Sequence, residues 1–269
     1  MERLFPGQKH ITAKYAKKNI IGQKKALLIG INYYGTCNQL SGCINDVYNI
    51  RNLLINKLGY LESDIILMTD SEEQNSITRF PTYENVMREL QLLVSTLGAM
   101  DIFYFHFSGH GFQSYDYSGD EIDRRDENIV LLNSTVSDDL LRTLIQKINP
   151  YTKVCISLDS CHSGTMCDLP FRLVGSQIVN ESGYLSSNIV MISSARDEQT
   201  AVDAYINDQV QGALSNAICQ VLNCPTAITS WTWSGMLAAI RLVIKKNGFL
   251  QEPQLNATKS SLFHSVVFL

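Results

Sequence analysis

Apolar residues in this chain come in short runs set between amphipathic stretches, which is the pattern made by strands and helices taking turns in a largely parallel sheet. Runs at 25–31, 65–69, 101–107, 129–132, 153–158, 188–193 and 261–268 predict strands. Between them, 45–58 puts Val47, Ile50, Leu54 and Leu58 on one helical face and stops at Gly59. The segment 83–97 follows Thr82, a good cap, and ends at Gly98. Further helices are predicted at 138–148, after Ser137 and before Pro150, and at 210–222 and 234–246, both apolar enough to pack closely on a sheet. Loops rich in Gly, Ser or charge fall at 71–82, 113–128, 167–187 and 195–208. The predicted architecture is an α/β sandwich, a mostly parallel central sheet flanked by helices. In such open sheets ligands bind in the crevice at the carboxyl ends of the strands.

Composition narrows this picture without redirecting it. A chain of 269 residues can bury one large core, so a single domain is expected over 23–269, preceded by an N-terminal arm at 1–22. The net charge of −4 gives no reason to expect nucleic acid, and the one basic group, Lys14, Lys17, Lys18, Lys24 and Lys25, lies in and beside the arm. Seven cysteines, an odd number without a CxxC pair or signal peptide, fit a reduced, cytoplasmic setting. Cys155 and Cys219 sit in apolar segments and read as buried small hydrophobes. No apolar run approaches the roughly 20 residues that a membrane span needs, so a soluble protein with no membrane partner is expected.

Two strand ends carry chemistry. The run 102–107 ends in Ser108-Gly109-His110-Gly111, and the run 154–157 leads into Leu158-Asp159-Ser160-Cys161-His162-Ser163-Gly164. A thiol attacks an acyl carbon as thiolate, so a nucleophilic cysteine needs an imidazole or other positive surroundings nearby. His110, 51 residues upstream of Cys161, can supply it. The flanking glycines let backbone approach a substrate, and the amides of Gly111 and Cys161 could cradle an oxyanion. His162 is the rival base. Successive strand side chains point to opposite faces, however, so a neighbour of Cys161 is poorly placed to reach its sulfur. By the same alternation Asp159 should point to the same side as Cys161. His10, His106 and His264 read as surface or packing residues, and no Cys/His pairs have zinc-ligand spacing.

These motifs resemble the caspase-hemoglobinase group of cysteine peptidases, in which the histidine also lies about 50 residues upstream of the cysteine. The details resemble the metacaspases, type I in organisation. Supporting segments occur in family order at 25–32 (KALLIGIN), 40–46 (LSGCIND), 119–121 (GDE), 137–139 (SDD), 194–200 (SARDEQT), 212–214 (GAL) and 251–255 (QEPQL). The resemblance implies a caspase-like three-layer sandwich, with a large-subunit-like part to about residue 185 and a small-subunit-like part after it. It implies a monomeric endopeptidase in which Cys161 and His110 form the catalytic dyad. Asp46, Asp159 and Ser108 match the pocket that receives an arginine or lysine before the cut, and two carboxylates suit one desolvated cation. Taken alone, Asp46 would read as a surface residue in the first turn of a helix. Asp126, Asp138, Asp139 and Asp168 match the family's calcium site, with hard oxygen donors converging from several loops.

The chain departs from the family where 129–134 reads IVLLNS in place of a segment with Pro and Asp. About twenty residues precede the first strand, where type I members often carry a long prodomain; the arm is either trimmed or lacks that regulatory part. Arg172, in the loop after Cys161, is a candidate self-cleavage site by exposure and charge. A calcium-independent, Arg-specific paracaspase-like peptidase and a caspase-fold interaction scaffold are the alternatives. No GxGxxG, GxxxxGK[ST] or GxSxG motif points to nucleotide binding or a serine hydrolase.

Overall fold

The computed structural model describes residues 22–71, 78–116, 119, 124–161, 163, 166–181, 183–194, 203–206, 209–224 and 231–269. Its centre is a sheet in which strands β1 (Lys24–Gly30), β2 (Ile65–Thr69), β3 (Thr78–Arg79), β4 (Ile102–Ser108), β8 (Lys153–Asp159) and β11 (Asn188–Ser193) run parallel. Three antiparallel strands extend it, β9 (Phe171–Val174), β10 (Gln177–Asn180) and β14 (Gln254–Ala257), in the order β10-β9-β14-β11-β8-β4-β1-β2-β3. A second sheet is formed by β5 (Gly111–Tyr115), β6 (Arg125–Val130) and β7 (Thr135–Ser137), and a hairpin by β12 (Asp203–Ile206) and β13 (Gln209–Gly212).

The parallel strands are apolar throughout because both of their faces are covered. On β1 the alternation is visible residue by residue. Ala26 and Leu28 join one core with helices α1 (Cys43–Leu58), α4 (Ala213–Asn223) and α5 (Trp233–Lys246). Leu27 and Ile29 join the other with α2 (Tyr83–Thr96) and α3 (Asp138–Ile145). The result is the three-layer sandwich expected. Helix limits follow local chemistry. Thr82, Ser137 and Thr232 cap α2, α3 and α5 by accepting from the amides of Asn85, Leu140 and Gly235. Gly59, at φ 71°, ends α1 in the left-handed conformation and donates to the Leu54 carbonyl.

Several expected elements differ. Residues 261–268 form no strand; Ser260–His264 is a 3-10 turn, Val266 makes a lone bridge to Thr232, and the sheet instead takes in β14. The helix expected from 210 begins at Ala213, because Gln209–Gly212 pairs as β13. The helix expected to 148 ends at Ile145. The expected loops at 113–128 and 167–187 contain β5, β6, β9 and β10, and that at 195–208 contains β12. No helix among the described residues is long and apolar enough to cross a membrane.

Candidate active site

Strands β4 and β8 are neighbours in register from Ile102 opposite Lys153 to Ser108 opposite Asp159, so both motifs leave the sheet at the same level of its carboxyl edge. The Gly109 amide donates to the Asp159 carbonyl at 3.3 Å. One step on, a Cβ placed on Gly111 would lie 2.3 Å from the Cys161 carbonyl oxygen and 3.2 Å from Ser160 Oγ. Only glycine lets the two loops close on each other there, and their closing brings the Cys161 backbone beside His110. Cys161 is half-buried and in no disulfide. Strand β8 ends at Asp159, so the alternation expected to put Asp159 and Cys161 on one side does not extend to the cysteine. His162 and the segment 195–200 lie outside the described residues, as do residues 120 and 121 and the arm up to residue 21.

His110 is oriented by two groups that carry no motif. Its Nε2 lies 2.6 Å from the Asn38 carbonyl oxygen, which can only accept, so Nε2 is the donor there and Nδ1 is the nitrogen left to act as acceptor. The Tyr33 ring stands 4.6 Å from the imidazole, tilted by 36°. The Tyr33 hydroxyl accepts from the His110 amide at 2.8 Å and donates to the Val130 carbonyl at 2.8 Å. It thus stands between two groups that would otherwise bond directly across β5 and β6. Burial pushes this hydroxyl well above its usual titration range, so it remains a donor. The Val130 amide donates to the His110 carbonyl, which makes 110/130 a hydrogen-bonded pair and 111/129 a non-hydrogen-bonded one. The Gly111 N–H therefore points away from β6.

The carboxylates of Asp46 and Asp159 meet over Gly212. Asp46, on the first turn of α1, is fully buried and not the surface residue that its position alone would suggest. It accepts from Ser108 Oγ at 2.7 Å and from the Gly212 amide at 2.9 and 3.1 Å. Asp159 Oδ2 accepts from the Ser215 amide and the Ser215 hydroxyl, both at 2.8 Å. A Cβ on Gly212 would stand 2.2 Å from Asp159 Oδ2 and 2.7 Å from Asp46 Oδ2. The structure brings all three expected pocket residues together. It adds Gly212, the first residue of the 212–214 segment, and Ser215, which follows that segment and which no sequence signal marked.

The four remaining aspartates gather at the start of α3. Asp138 is buried, with its oxygens receiving the amides of Glu127 at 2.8 Å and Asp139 at 2.7 Å. Burial, together with the charges of Asp168 and Asp126, raises its carboxyl to about 7, against the opposing effect of the two amides. Asp126, Asp138 and Asp168 are thus close enough to repel, and Asp139 adjoins them. The Arg142 side chain donates to the Asp168 carbonyl, and its guanidinium lies 3.9 Å from the Asp168 carboxylate. Cys167 and Asp168 hold positive φ of 78° and 43°, in the left-handed region that non-glycine residues seldom adopt. Among the described residues no three acidic, imidazole or thiol side chains stand as a finished metal cage. The donor set is still of the kind calcium takes, hard carboxylate oxygens whose mutual repulsion a divalent cation would relieve.

Arg172 does not suit self-cleavage. It lies in β9, paired on one side with Val179 of β10 and on the other with Asn256 of β14, and its guanidinium bonds Glu181 at 2.6 Å. A bond held in a strand paired on both sides is not presented to a cleft.

Residues 24–170 match the family described as "Metacaspase, peptidase C14 domain". Metacaspase-1 of Meyerozyma guilliermondii is 31% identical, the alignment covering 91% of this chain and 72% of that protein. Metacaspase-1 of Saccharomyces cerevisiae is 30% identical, covering 91% and 68%. A crystal structure of a Geobacter sulfurreducens protein aligns over 91% of this chain and 98% of its own, with a TM-score of 0.67 at 21% identity, a likeness of fold.

Proposed function

Because the chain belongs to the metacaspase family, and is therefore a cysteine peptidase and a hydrolase, we propose that it cuts polypeptides after arginine or lysine. The observation that carries this reading is the pair of buried carboxylates, Asp46 and Asp159, packed on either side of a glycine where no side chain fits. A guanidinium set between such a pair can bond both carboxylates at once. Ser108, which donates to Asp46, fixes one wall.

In the mechanism, His110 takes the proton of the Cys161 thiol on Nδ1, the nitrogen left as acceptor by the bond from Nε2 to Asn38. The thiolate attacks the carbonyl carbon, and the resulting oxyanion is met by the amides of Gly111 and Cys161. His110 then gives its proton to the departing amine as the C–N bond breaks. A water molecule, deprotonated by the same imidazole, releases the acyl group and restores the thiol.

Calcium is the proposed regulator, held by Asp126, Asp138, Asp139 and Asp168. When bound it would supply positive charge that offsets the repulsion among these carboxylates, and the chemistry above does not pass through it. The test is hydrolysis of Arg-, Lys- and Asp-ending fluorogenic peptides with and without calcium. Turnover of the Arg and Lys peptides is expected, increased by calcium and lost in Cys161→Ala. Cleavage of the Asp peptide alone would refute the pocket, and equal rates without calcium would favour the paracaspase-like alternative.

A further inference from the structure

His106 is fully buried, two residues before Ser108 on β4, and the mechanism above gives it no task. Period-two alternation puts Tyr104, His106 and Ser108 on one face of β4, opposite Cys155, Ser157 and Asp159 of β8 in register. A polar column therefore runs through an otherwise apolar layer, directly beneath the pocket. Tyr104 Oη lies 2.8 Å from Ser157 Oγ, Ser157 Oγ lies 2.7 Å from His106 Nδ1, and His106 Nε2 lies 3.5 Å from Ser215 Oγ. Ser215 Oγ in turn lies 2.8 Å from Asp159 Oδ2.

The direction of every proton in this column follows from its last member. A carboxylate only accepts, so the single Ser215 hydroxyl proton goes to Asp159. Ser215 Oγ can then only accept from His106, which places a proton on Nε2. His106 Nδ1 is left as the acceptor, so the Ser157 hydroxyl donates to it. Ser157 Oγ accepts from the Tyr104 hydroxyl, which burial keeps protonated. All four donors point the same way, towards the carboxylate, and bonds aligned in series polarise one another.

We propose that His106 is a positioning residue for the pocket, ordering through Ser215 the hydrogen bond that Asp159 receives and so holding that carboxylate ready for the substrate cation. This rests on the assignment of Asp159 to an arginine or lysine pocket. A histidine suits the place better than a lysine or arginine. Burial lowers its ring to about 3, so at neutral pH it offers a donor without adding a positive charge that would compete with the substrate. The link to Ser215 is the longest of the four, so the effect is one of orientation, smaller than loss of the carboxylate itself.

The test compares steady-state hydrolysis of an Arg-ending peptide, with calcium, by the full chain and by His106→Leu, His106→Gln and Ser157→Ala. His106→Leu should raise KM about tenfold with kcat changed by less than about twofold, the upper scale of one neutral hydrogen bond. His106→Gln, whose amide can present an N–H where Nε2–H stood, should recover KM to within about threefold of the parent. Ser157→Ala, which removes the partner that fixes the ring's tautomer, should fall between. An unchanged KM in folded His106→Leu overturns the proposal, as does a fall in kcat at constant KM, or His106→Gln behaving like His106→Leu. Should His106→Leu fail to show a cooperative melt, an unchanged KM in folded Ser157→Ala overturns it. Failure of the pocket assignment looks different, because the parent itself would then prefer the Asp-ending peptide.

Discussion

The molecule gathers aspartates in two places and treats them differently. At the pocket, Asp46 and Asp159 are each met by a serine hydroxyl and a backbone amide, from Ser108, Gly212 and Ser215. At the start of α3, Asp138 receives two amides, yet burial and the charges of Asp168 and Asp126 prevail and its carboxyl rises to about 7. Hydrogen-bond donors placed around one pair build a site before any ligand arrives. Carboxylates crowded against one another leave a site whose energy waits on a cation. The first arrangement suits a specificity pocket and the second a regulatory one.

The contrast is broken most forcefully at Gly212. Gly212→Ala drives a methyl group into both pocket carboxylates, and kcat/KM for an Arg-ending peptide should fall by about a thousandfold while the calcium-induced rise in melting temperature survives, an order-of-magnitude figure for several kcal/mol of lost cation binding. Asp46→Asn keeps the shape and removes one charge, for which a loss of about a hundredfold is expected, mostly in KM. Equal loss on a neutral-ending peptide would show that the substitution damages more than recognition.

At the other site the sharper probe is pH. Because the Asp138 carboxyl titrates near 7 in the fold against an ordinary 3.8, the folded chain holds a proton between those values that the unfolded chain has released. Its contribution to stability therefore declines as pH rises through that window and is least above 7. Calcium bound at this site, as proposed, would displace this proton, so the calcium-induced rise in melting temperature should be larger at pH 8 than at pH 6. A rise independent of pH would remove Asp138 from the site. The smallest effect belongs to Tyr33→Phe, which withdraws the hydroxyl between His110 and Val130. We expect kcat to fall about threefold to tenfold with KM nearly constant, the worth of one or two neutral hydrogen bonds.

The sequence told most about the parts that repeat a physical pattern. Strands such as Ile65–Thr69 and Asn188–Ser193 were legible to the residue because burial on both faces demands an unbroken apolar run. Strand β10 was hidden because Gln177–Asn180 is mostly exposed, and β14 because its buried Gln254 and Asn256 break any apolar run. The run 261–268 misled for the opposite reason, since apolar side chains there pack around a 3-10 turn without forming a ladder. Asp46, Asp159 and Ser108 were legible through family motifs, and the structure brings them together. Asn38 was not, because it acts through a carbonyl that any residue would supply. His106 was read as surface or packing, and it is indeed buried; its polar partners Ser157 and Ser215 are visible only once β4, β8 and α4 are assembled.

Strand β6 runs from the aspartates at the start of α3 to the groups that seat His110. At its start lie Asp126 and the Glu127 amide fastened to Asp138; at its end, Val130 holds the Tyr33 hydroxyl that seats His110. Four steps of extended chain lead from Asp126 to Val130, about 14 Å at strand spacing. One continuous strand is thus a common rail, with acidic side chains at one end and, at the other, the carbonyl that fixes the Tyr33 hydroxyl beside the imidazole.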